Sequence, residues 1–438
     1  MSLPDHHHHH LPLVLRLYQL ACAASMPLTA RLLAQRLDRG KEHPARIAER
    51  RGQASLPRPV GPLIWVHGAS VGEILAVVPL IGRIRAQNFS VLVTSGTVTS
   101  AALAAERLPA GVLHQFIPLD APQFVDRFLD HWRPHLALFV ESDLWPNLIL
   151  GCVRRKIPMI LVNGRVSERS VRRWRLAPAV IAALLGRFDL CLAQSPANAE
   201  RLLRLGAPHV ASTGNLKLDV PPPPVDRTTL SRLSALVGLR DVIAAASTHP
   251  GEEAAIIAAH QRLRTTVPGL LTVIAPRHPE RGAAIADMVK EKGLSVGLRS
   301  RGEEPKHDVD IYVVDTMGEL GLVYRVAPIV FMGGSLASHG GQNPIEAIRL
   351  GAAIVHGPNV WNFAEIYRTI DQARGAERVA DAEAMVARLS AWLADPAARS
   401  AAAKAAAACV AELGGALERT FAAIEPHLKE LRAEQSAS

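Results

Sequence analysis

Cysteine is scarce. Cys22, Cys152, Cys191 and Cys409 are the four in 438 residues, far apart and forming no CxxC, so neither a disulfide framework nor a zinc knuckle is indicated and a reducing compartment fits. Aromatic residues make up 4% of the chain, too few for an extended base-stacking surface, so nucleic acid is not an expected partner. A hydrophobic run long enough to cross a bilayer is missing near the N-terminus. There the charge-free stretch from Leu17 to Ala30 covers fourteen residues between Arg16 and Arg31, short of the roughly 20 a spanning helix needs, and Pro27 interrupts it. Hydrophobic residues at 49% against charged residues at 20% exclude a mainly disordered chain, and 31 Gly with 31 Pro follow no collagen-like period.

What the chain does have is length for two or three domains and a surplus of positive charge. Lys+Arg 49 against Asp+Glu 40 gives a formal +9, which favours anionic surfaces or a phosphorylated substrate. His6 to His10 read as a cloning remnant and are excluded from metal arguments. Gln19-Leu20-Ala21-Cys22 lacks the leucine a lipoprotein cleavage site places three residues before cysteine. Segment 31–51 carries seven basic residues (Arg31, Arg36, Arg39, Lys41, Arg46, Arg50, Arg51) against Asp38, Glu42 and Glu49. An apolar helix followed by a basic one predicts a monotopic anchor on an anionic leaflet; a buried N-terminal helix with a solvated continuation is the alternative.

After Pro57, short apolar runs alternate with helical stretches, the pattern of βαβ units and a parallel sheet. Strands are expected at 62–66, 91–94, 136–140, 159–162 and 190–193, and helices at 73–85 and 99–108. Pro221-Pro222-Pro223-Pro224 is a stiff extended spacer and the clearest domain boundary. A second α/β series follows, with strands at 242–246, 271–275, 311–314, 329–332 and 353–355 and helices at 252–263, 281–290 and 344–350. The alanine-rich stretch 382–425 is helical by propensity, and Gln435 to Ser438 are expected to fray.

Several loops after predicted strands carry chemistry. In His67-Gly68-Ala69-Ser70-Val71-Gly72-Glu73 the spacing is not GxGxxG, which argues against a dinucleotide cofactor. Glu73 has two readings: closing a capping box with Ser70, or accepting a proton from an attacking hydroxyl. Glu141-Ser142-Asp143-Leu144-Trp145-Pro146-Asn147 puts two carboxylates and a tryptophan beyond a strand, as a solvated loop or a functional one. Stretch 154–175 holds eight cations with Glu168 as its only acid, pointing to a polyphosphorylated or membrane-bound partner. Gly214-Asn215-Leu216-Lys217 closes the first half, and alone Lys217 reads as a surface lysine.

In the second half, Arg277 of Ala275-Pro276-Arg277-His278-Pro279 could grip a phosphate bidentately or belong to a charged surface turn. Asp315-Thr316-Met317-Gly318-Glu319 ends another strand. In Gly333-Gly334-Ser335-Leu336-Ala337-Ser338-His339-Gly340-Gly341-Gln342-Asn343-Pro344-Ile345-Glu346, four glycines are expected to leave backbone amides open, with Asn343 as a helix cap. Asp308-Val309-Asp310 matches a DxD metal motif but leads into a strand instead of following one, so no metal site is expected.

The string Trp65 to Glu73, the loops Glu141 to Asn147 and Asn163 to Ser170, and Gly214 to Lys217, in that order, resemble the motifs of the 3-deoxy-D-manno-octulosonic acid (Kdo) transferases of lipopolysaccharide synthesis. The resemblance spans Leu11 to Thr420. It implies an inverting glycosyltransferase of α/β, GT-B architecture: two Rossmann-like domains facing a central cleft, with an N-terminal membrane-associated helical segment. The implied organisation is 1–51 as the tag-like tract and basic helical segment, 52–220 as acceptor domain, 221–228 as linker, and 229–438 as nucleotide-sugar domain with C-terminal helices. By analogy Glu73 is the catalytic base, with Glu141 and Lys217 assisting at the transition state. Pro276, Arg277, Met317, Gly318, Glu319, Asn343, Pro344, Ile345 and Glu346 form the donor site. The implied partners are CMP-Kdo, a phosphorylated lipid A precursor and the anionic cytoplasmic face of the inner membrane, with no cofactor and no metal. Two other readings stay open: a GT-B transferase or epimerase using a UDP-sugar, and a non-catalytic anionic-lipid binder.

Overall fold

The structure, a computed structural model, describes residues 11–220, 222–223 and 225–437. His6 to His10, Pro221 and Pro224 of the proline run, and Ser438 lie outside the described residues. The chain divides into two compact units, one made of the residues up to Val220 together with those from Leu413 onward, the other of Pro221–Glu412.

The first unit is built on a seven-stranded sheet of β1 (Leu63–His67), β2 (Ser90–Ser95), β3 (Leu113–Phe116), β4 (Leu136–Val140), β5 (Met159–Gly164), β6 (Leu190–Ala193) and β7 (Val210–Ser212), in the order β3-β2-β1-β4-β5-β6-β7. Every pairing is parallel. The central strands β1, β4 and β5 are buried along their whole length because helices cover both faces. Alternate residues serve the two cores: Leu63, Trp65, Ala137, Phe139 and Leu161 face one, and Ile64, Val66, Leu138, Val140 and Ile160 the other.

The last helix, Ala416–Ala437, closes the second of these cores through Ala416, Phe421, Ile424 and Leu428. This corrects the expected 229–438 domain. The alanine-rich stretch is not one helix. It breaks after Ala394, where Asp395 Oδ1 accepts from the amides of Ala397 and Ala398, and again at Gly415, whose φ is +77°. Beyond that second break an apolar stripe at i, i+3, i+7 returns the chain to the first sheet. Helical backbone runs through Gln435 to Ala437, where fraying was expected.

The N-terminal segment is also more tightly built than its composition suggests. Helices Leu13–Ala24 and Met26–Asp38 meet at Ser25, so Pro27 starts the second helix and does not break the first. Leu15 is buried in a core of the first unit, and Tyr18 Oη donates to Asp120 Oδ2 at 2.9 Å. Residues 44–51 form a 3-10 helix, and three of the seven basic residues turn inward: Arg36 and Arg50 pair with buried Glu42, Arg46 with buried Glu49. Their charge is spent on the fold.

The second unit repeats the plan with β8 (Val242–Thr248), β9 (Leu271–Pro276), β10 (Val296–Leu298), β11 (Ile311–Val313), β12 (Ile329–Met332), β13 (Ala353–His356) and β14 (Ala376–Arg378), in the order β10-β11-β9-β8-β12-β13-β14. All pairings are again parallel. Near the middle of each sheet the strand numbers turn from falling to rising, between β1 and β4 and between β8 and β12. At such switch points the loops leaving the carboxyl ends diverge, and open α/β sheets bind ligands there.

Candidate active site

In the first unit, the loops on either side of the switch point carry the predicted acid-base residues. Glu73 lies in the first turn of helix Val71–Ala86, directly after β1. Ser70 caps that helix: its hydroxyl accepts from Glu73 N at 3.4 Å and donates to Glu73 Oε1 at 2.8 Å, while Ala69 N donates to Glu73 Oε2 at 2.8 Å. The cap and the candidate base are therefore one structure, since the capping bonds fix the carboxylate at the strand end. Burial pushes the Glu73 carboxyl above the ordinary glutamate range; the Ser70 and Ala69 hydrogen bonds oppose this, and the charges of Glu141 and Asp143 add to the rise.

Glu141 directly follows β4 with φ +62°, a left-handed conformation costing a non-glycine residue of order 1–3 kcal/mol. Two contacts hold it there. Its N–H donates to Val162 O at 2.9 Å, and its carboxylate receives Lys217 Nζ at 2.5 Å. Lys217 is presented by a short 3-10 turn, Leu216–Leu218, whose Leu216 N–H donates to buried Asn163 Oδ1 at 2.9 Å and whose Lys217 N–H donates to Asn215 Oδ1 at 3.1 Å. Residues far apart in sequence thus meet beside Glu73.

A further contact in this loop was not foreseen. His67 Nε2 lies 3.1 Å from Asp143 Oδ2, while His67 Nδ1 lies 2.9 Å from Thr94 Oγ1, which also accepts from Trp65 Nε1 at 2.8 Å. The carboxylate can only accept, so Nε2 carries the hydrogen, and a neutral imidazole takes the Thr94 hydroxyl proton on Nδ1. Burial raises the Asp143 pKa, but hydrogen bonding, that of His67 foremost, outweighs it and leaves the carboxyl below its ordinary range.

The eight cations of 154–175 are not one free patch. Arg154 and Arg155 pair with Asp126, and Arg155 also with Asp130. Arg169, Arg172, Arg173 and Arg175 remain exposed, next to an exposed Leu176.

In the second unit, Pro276 ends β9 buried and Arg277 follows it exposed, its backbone N–H bound to Thr248 O at 3.0 Å. Met317 is 76% exposed and Gly318 has φ +81°, but Glu319 is committed to Arg299, at 2.7 Å, and to the Thr316 hydroxyl. The Arg299 hydrogen bond holds the Glu319 carboxyl below its ordinary range, with burial opposing. Asn343 Oδ1 accepts from Ile345 N at 3.1 Å, Pro344 and Ile345 are buried, and Glu346 stands in the first turn of the short helix Ile345–Arg349.

The glycine-rich loop departs from expectation. Its amides are not open: buried Glu252 fills them from inside. Glu252 Oε2 accepts from His249 N at 2.9 Å and Gly334 N at 2.7 Å, and Oε1 from Ser335 N, Leu336 N and Ala337 N at 3.0, 3.0 and 3.1 Å. The physical reason is close packing. A Cβ on Gly333 would lie 2.3 Å from Ser247 O, so the loop lies directly on the end of β8, from which the Glu252 helix starts. Two glutamates in a first helical turn read in sequence as ordinary partners of the helix dipole, and only their place after the central strand hinted at more.

The DxD pair lies at the opposite, amino edge of this sheet. Asp310 Oδ2 accepts from Ser295 N and Ser295 Oγ, both at 2.9 Å, and lies 3.5 Å from Arg264 Nη1. Among the described residues, no three His, Cys, Asp or Glu side chains gather as a metal site.

A family model described as 3-Deoxy-D-manno-octulosonic-acid transferase (kdotransferase) matches residues 45–220. The 3-deoxy-D-manno-octulosonic acid transferase of Haemophilus influenzae is 34% identical over 396 residues, covering 88% of this chain and 92% of the relative. That of Bordetella pertussis is 36% identical over 396 residues, covering 88% and 91%. The chain belongs to the Kdo transferase family. It is accordingly a glycosyltransferase. The fold of this Kdo transferase is shared with a UDP-GlcNAc 2-epimerase from Neisseria meningitidis (TM-score 0.57, 13% identity, 84% of this chain and 100% of that one). A glycosyltransferase from Rickettsia africae also shares it (TM-score 0.56, 10% identity, 85% and 100%). At such identities only the architecture carries over, and it is GT-B, two Rossmann-like domains.

Proposed function

We propose that this Kdo transferase moves Kdo from CMP-Kdo to a phosphorylated lipid A precursor, with inversion, at the cytoplasmic face of the inner membrane. The observation that carries the reading is the Glu73 carboxylate, fixed by its own helix cap beside the Glu141–Lys217 pair at a sheet switch point. Glu73 deprotonates the acceptor hydroxyl, and the oxygen attacks the anomeric carbon from the face opposite CMP. Lys217 neutralises Glu141, so one full negative charge, not two, stands next to the base as it takes up the proton. Arg277, exposed and outside any ion pair among the described residues, is available to the phosphate that departs. The reaction needs no metal in this reading: the donor carries a single phosphate, and Asp310 of the DxD pair is bound to Ser295 and Arg264.

Membrane association rests on exposed Leu13, Val14, Leu17, Leu20, Leu28 and Leu32 along the two N-terminal helices. No single described helix is long and apolar enough to cross a membrane; these two pass that test only as a pair bent by 68°. The exposed arginines of 169–175 supply attraction to anionic headgroups. The test is release of CMP from CMP-Kdo in the presence of a phosphorylated disaccharide lipid, with UDP-sugars as controls. Turnover with CMP-Kdo alone supports the donor assignment, and turnover with UDP-sugars refutes it.

A further inference from the structure

Beside Arg277 lies a histidine cluster to which nothing above gives a role. His249 leaves the carboxyl end of β8 and is only 9% exposed. Its ring stacks on that of His339, with centroids 4.1 Å apart and planes at 14°, and stands edge-on to His278 at 6.1 Å. Gln342 Nε2 lies 3.4 Å from His249 Nε2; with the amide nitrogen donating there, the ring hydrogen resides on Nδ1, which has no partner among the described residues. His278, His339 and Arg277 are all exposed around it.

The groups facing His249 are His339, His278, Arg277 and Glu252. Burial lowers its pKa, His339 lowers it further, Glu252 opposes, and His278 and Arg277 add smaller reductions. Glu252 is already taken up by five backbone amides. The cluster therefore combines a ring N–H without an acceptor among the described residues with the guanidinium of Arg277, which has no ion-pair partner among them; at the rim, His278 Nδ1 lies 3.7 Å from Glu280 Oε1. The Nδ1–H of His249 can donate to an anion such as a carboxylate.

The donor proposed above supplies one. A 2-keto sugar acid activated at its anomeric carbon carries a carboxylate and a phosphate ester on that same carbon. A site that grips the phosphate with Arg277 must provide for a second anion immediately beside it. Resting on that donor assignment, we infer that His249 and His339, with His278 at the rim, bind the sugar carboxylate of the donor. These residues would then separate an acidic sugar from a neutral one, while Arg277 and the remaining donor-site residues hold the nucleotide.

The experiment uses the full chain, titrated calorimetrically with CMP and assayed for turnover of CMP-Kdo. The variants are H339Q alone, which changes an exposed side chain, and H249Q/H339Q, with thermal melting as the check on folding. The expected result is CMP affinity within about twofold of the parent and an apparent KM for CMP-Kdo raised about tenfold to a hundredfold, the range of a lost charge-assisted hydrogen bond. Arg277→Ala weakens both ligands. An unchanged KM for CMP-Kdo in a folded H249Q/H339Q variant overturns the inference, as does equal loss of CMP and CMP-Kdo, which assigns the histidines to the phosphate. If the parent chain binds CMP but never turns over CMP-Kdo, the donor assignment itself fails, a result distinct from either.

Discussion

The carboxylate of Glu252 allows a quantitative expectation. Glu252→Gln keeps the shape of the side chain but leaves one oxygen to serve five amides. In the better orientation the oxygen still faces Ser335, Leu336 and Ala337, and the new NH2 group points at the N–H groups of His249 and Gly334. Two buried donors then lose their acceptor, at about 1–3 kcal/mol each, and the other three bonds lose their charge assistance. A loss of about 3–6 kcal/mol follows for the second unit. For a unit of this size each kcal/mol moves the melting temperature by about 2–4 °C, so a fall of roughly 6–24 °C is expected. Differential scanning calorimetry reads it, and the transition that CMP raises identifies the unit. CMP affinity falls too, because the turn from Gly334 to Ala337, which leads toward the donor-site residues Asn343 to Glu346, is held by the same carboxylate. A variant melting within about 2 °C of the parent with undiminished CMP affinity would refute the claim that this internal anion builds the loop.

Glu73→Gln is expected to lower transfer about 10²–10⁴-fold with CMP binding intact, measured as CMP release in the purified variant; near-normal turnover removes the base assignment. Because burial raises the Glu73 pKa, the deprotonated base accumulates only above the ordinary glutamate range, so kcat rises with pH through that elevated value; a limb at ordinary glutamate pH contradicts this. Activity should survive a chelator, and Asp308→Ala and Asp310→Ala should leave kcat unchanged; chelator-sensitive, divalent-restored activity together with inactive variants would return the DxD pair to the mechanism. Deleting residues 1–35 should weaken sedimentation with anionic vesicles, and high salt should mimic part of the loss, since exposed charges are screened beyond about 8 Å at physiological ionic strength. Vesicle binding equal to that of the full chain counts against the anchor.

The strands that sequence periodicity found, such as 136–140 and 190–193, are those buried on both faces, where an apolar run is unbroken. The strands it did not find are short and lie on or near sheet edges: β3, with two half-buried residues, β7, half-buried to exposed, and β10 and β14 of three residues each. A strand with one wet side and three residues has no period to read. Glu73 was legible because its capping partner lies three residues away, whereas Glu141 and Lys217, 76 residues apart, entered only through family resemblance, and their contact emerged only with the structure. Glu252 and His249 escaped notice for the opposite reason. Their partners, Gly334 to Ala337 and His339, lie more than 80 residues downstream, and neither residue is unusual in its own neighbourhood.

The return of the last helix to the first sheet has a consequence for how the chain is made. Phe421, Ile424 and Leu428 complete a core whose other members, such as Val77, Ile81 and Val93, leave the ribosome long before them. The whole of Pro221–Glu412 must be synthesised in between. At about 5–20 residues per second, that interval is roughly 10–40 s, during which the unfinished sheet face is open to solvent and to other nascent chains. The second unit is contiguous and can fold as soon as it emerges, while the first has to wait for its closing helix. Ribosome-bound chains stalled near residue 400 should therefore recruit hydrophobic-surface chaperones through the earlier half of the protein, and a separately supplied 413–438 peptide should release them.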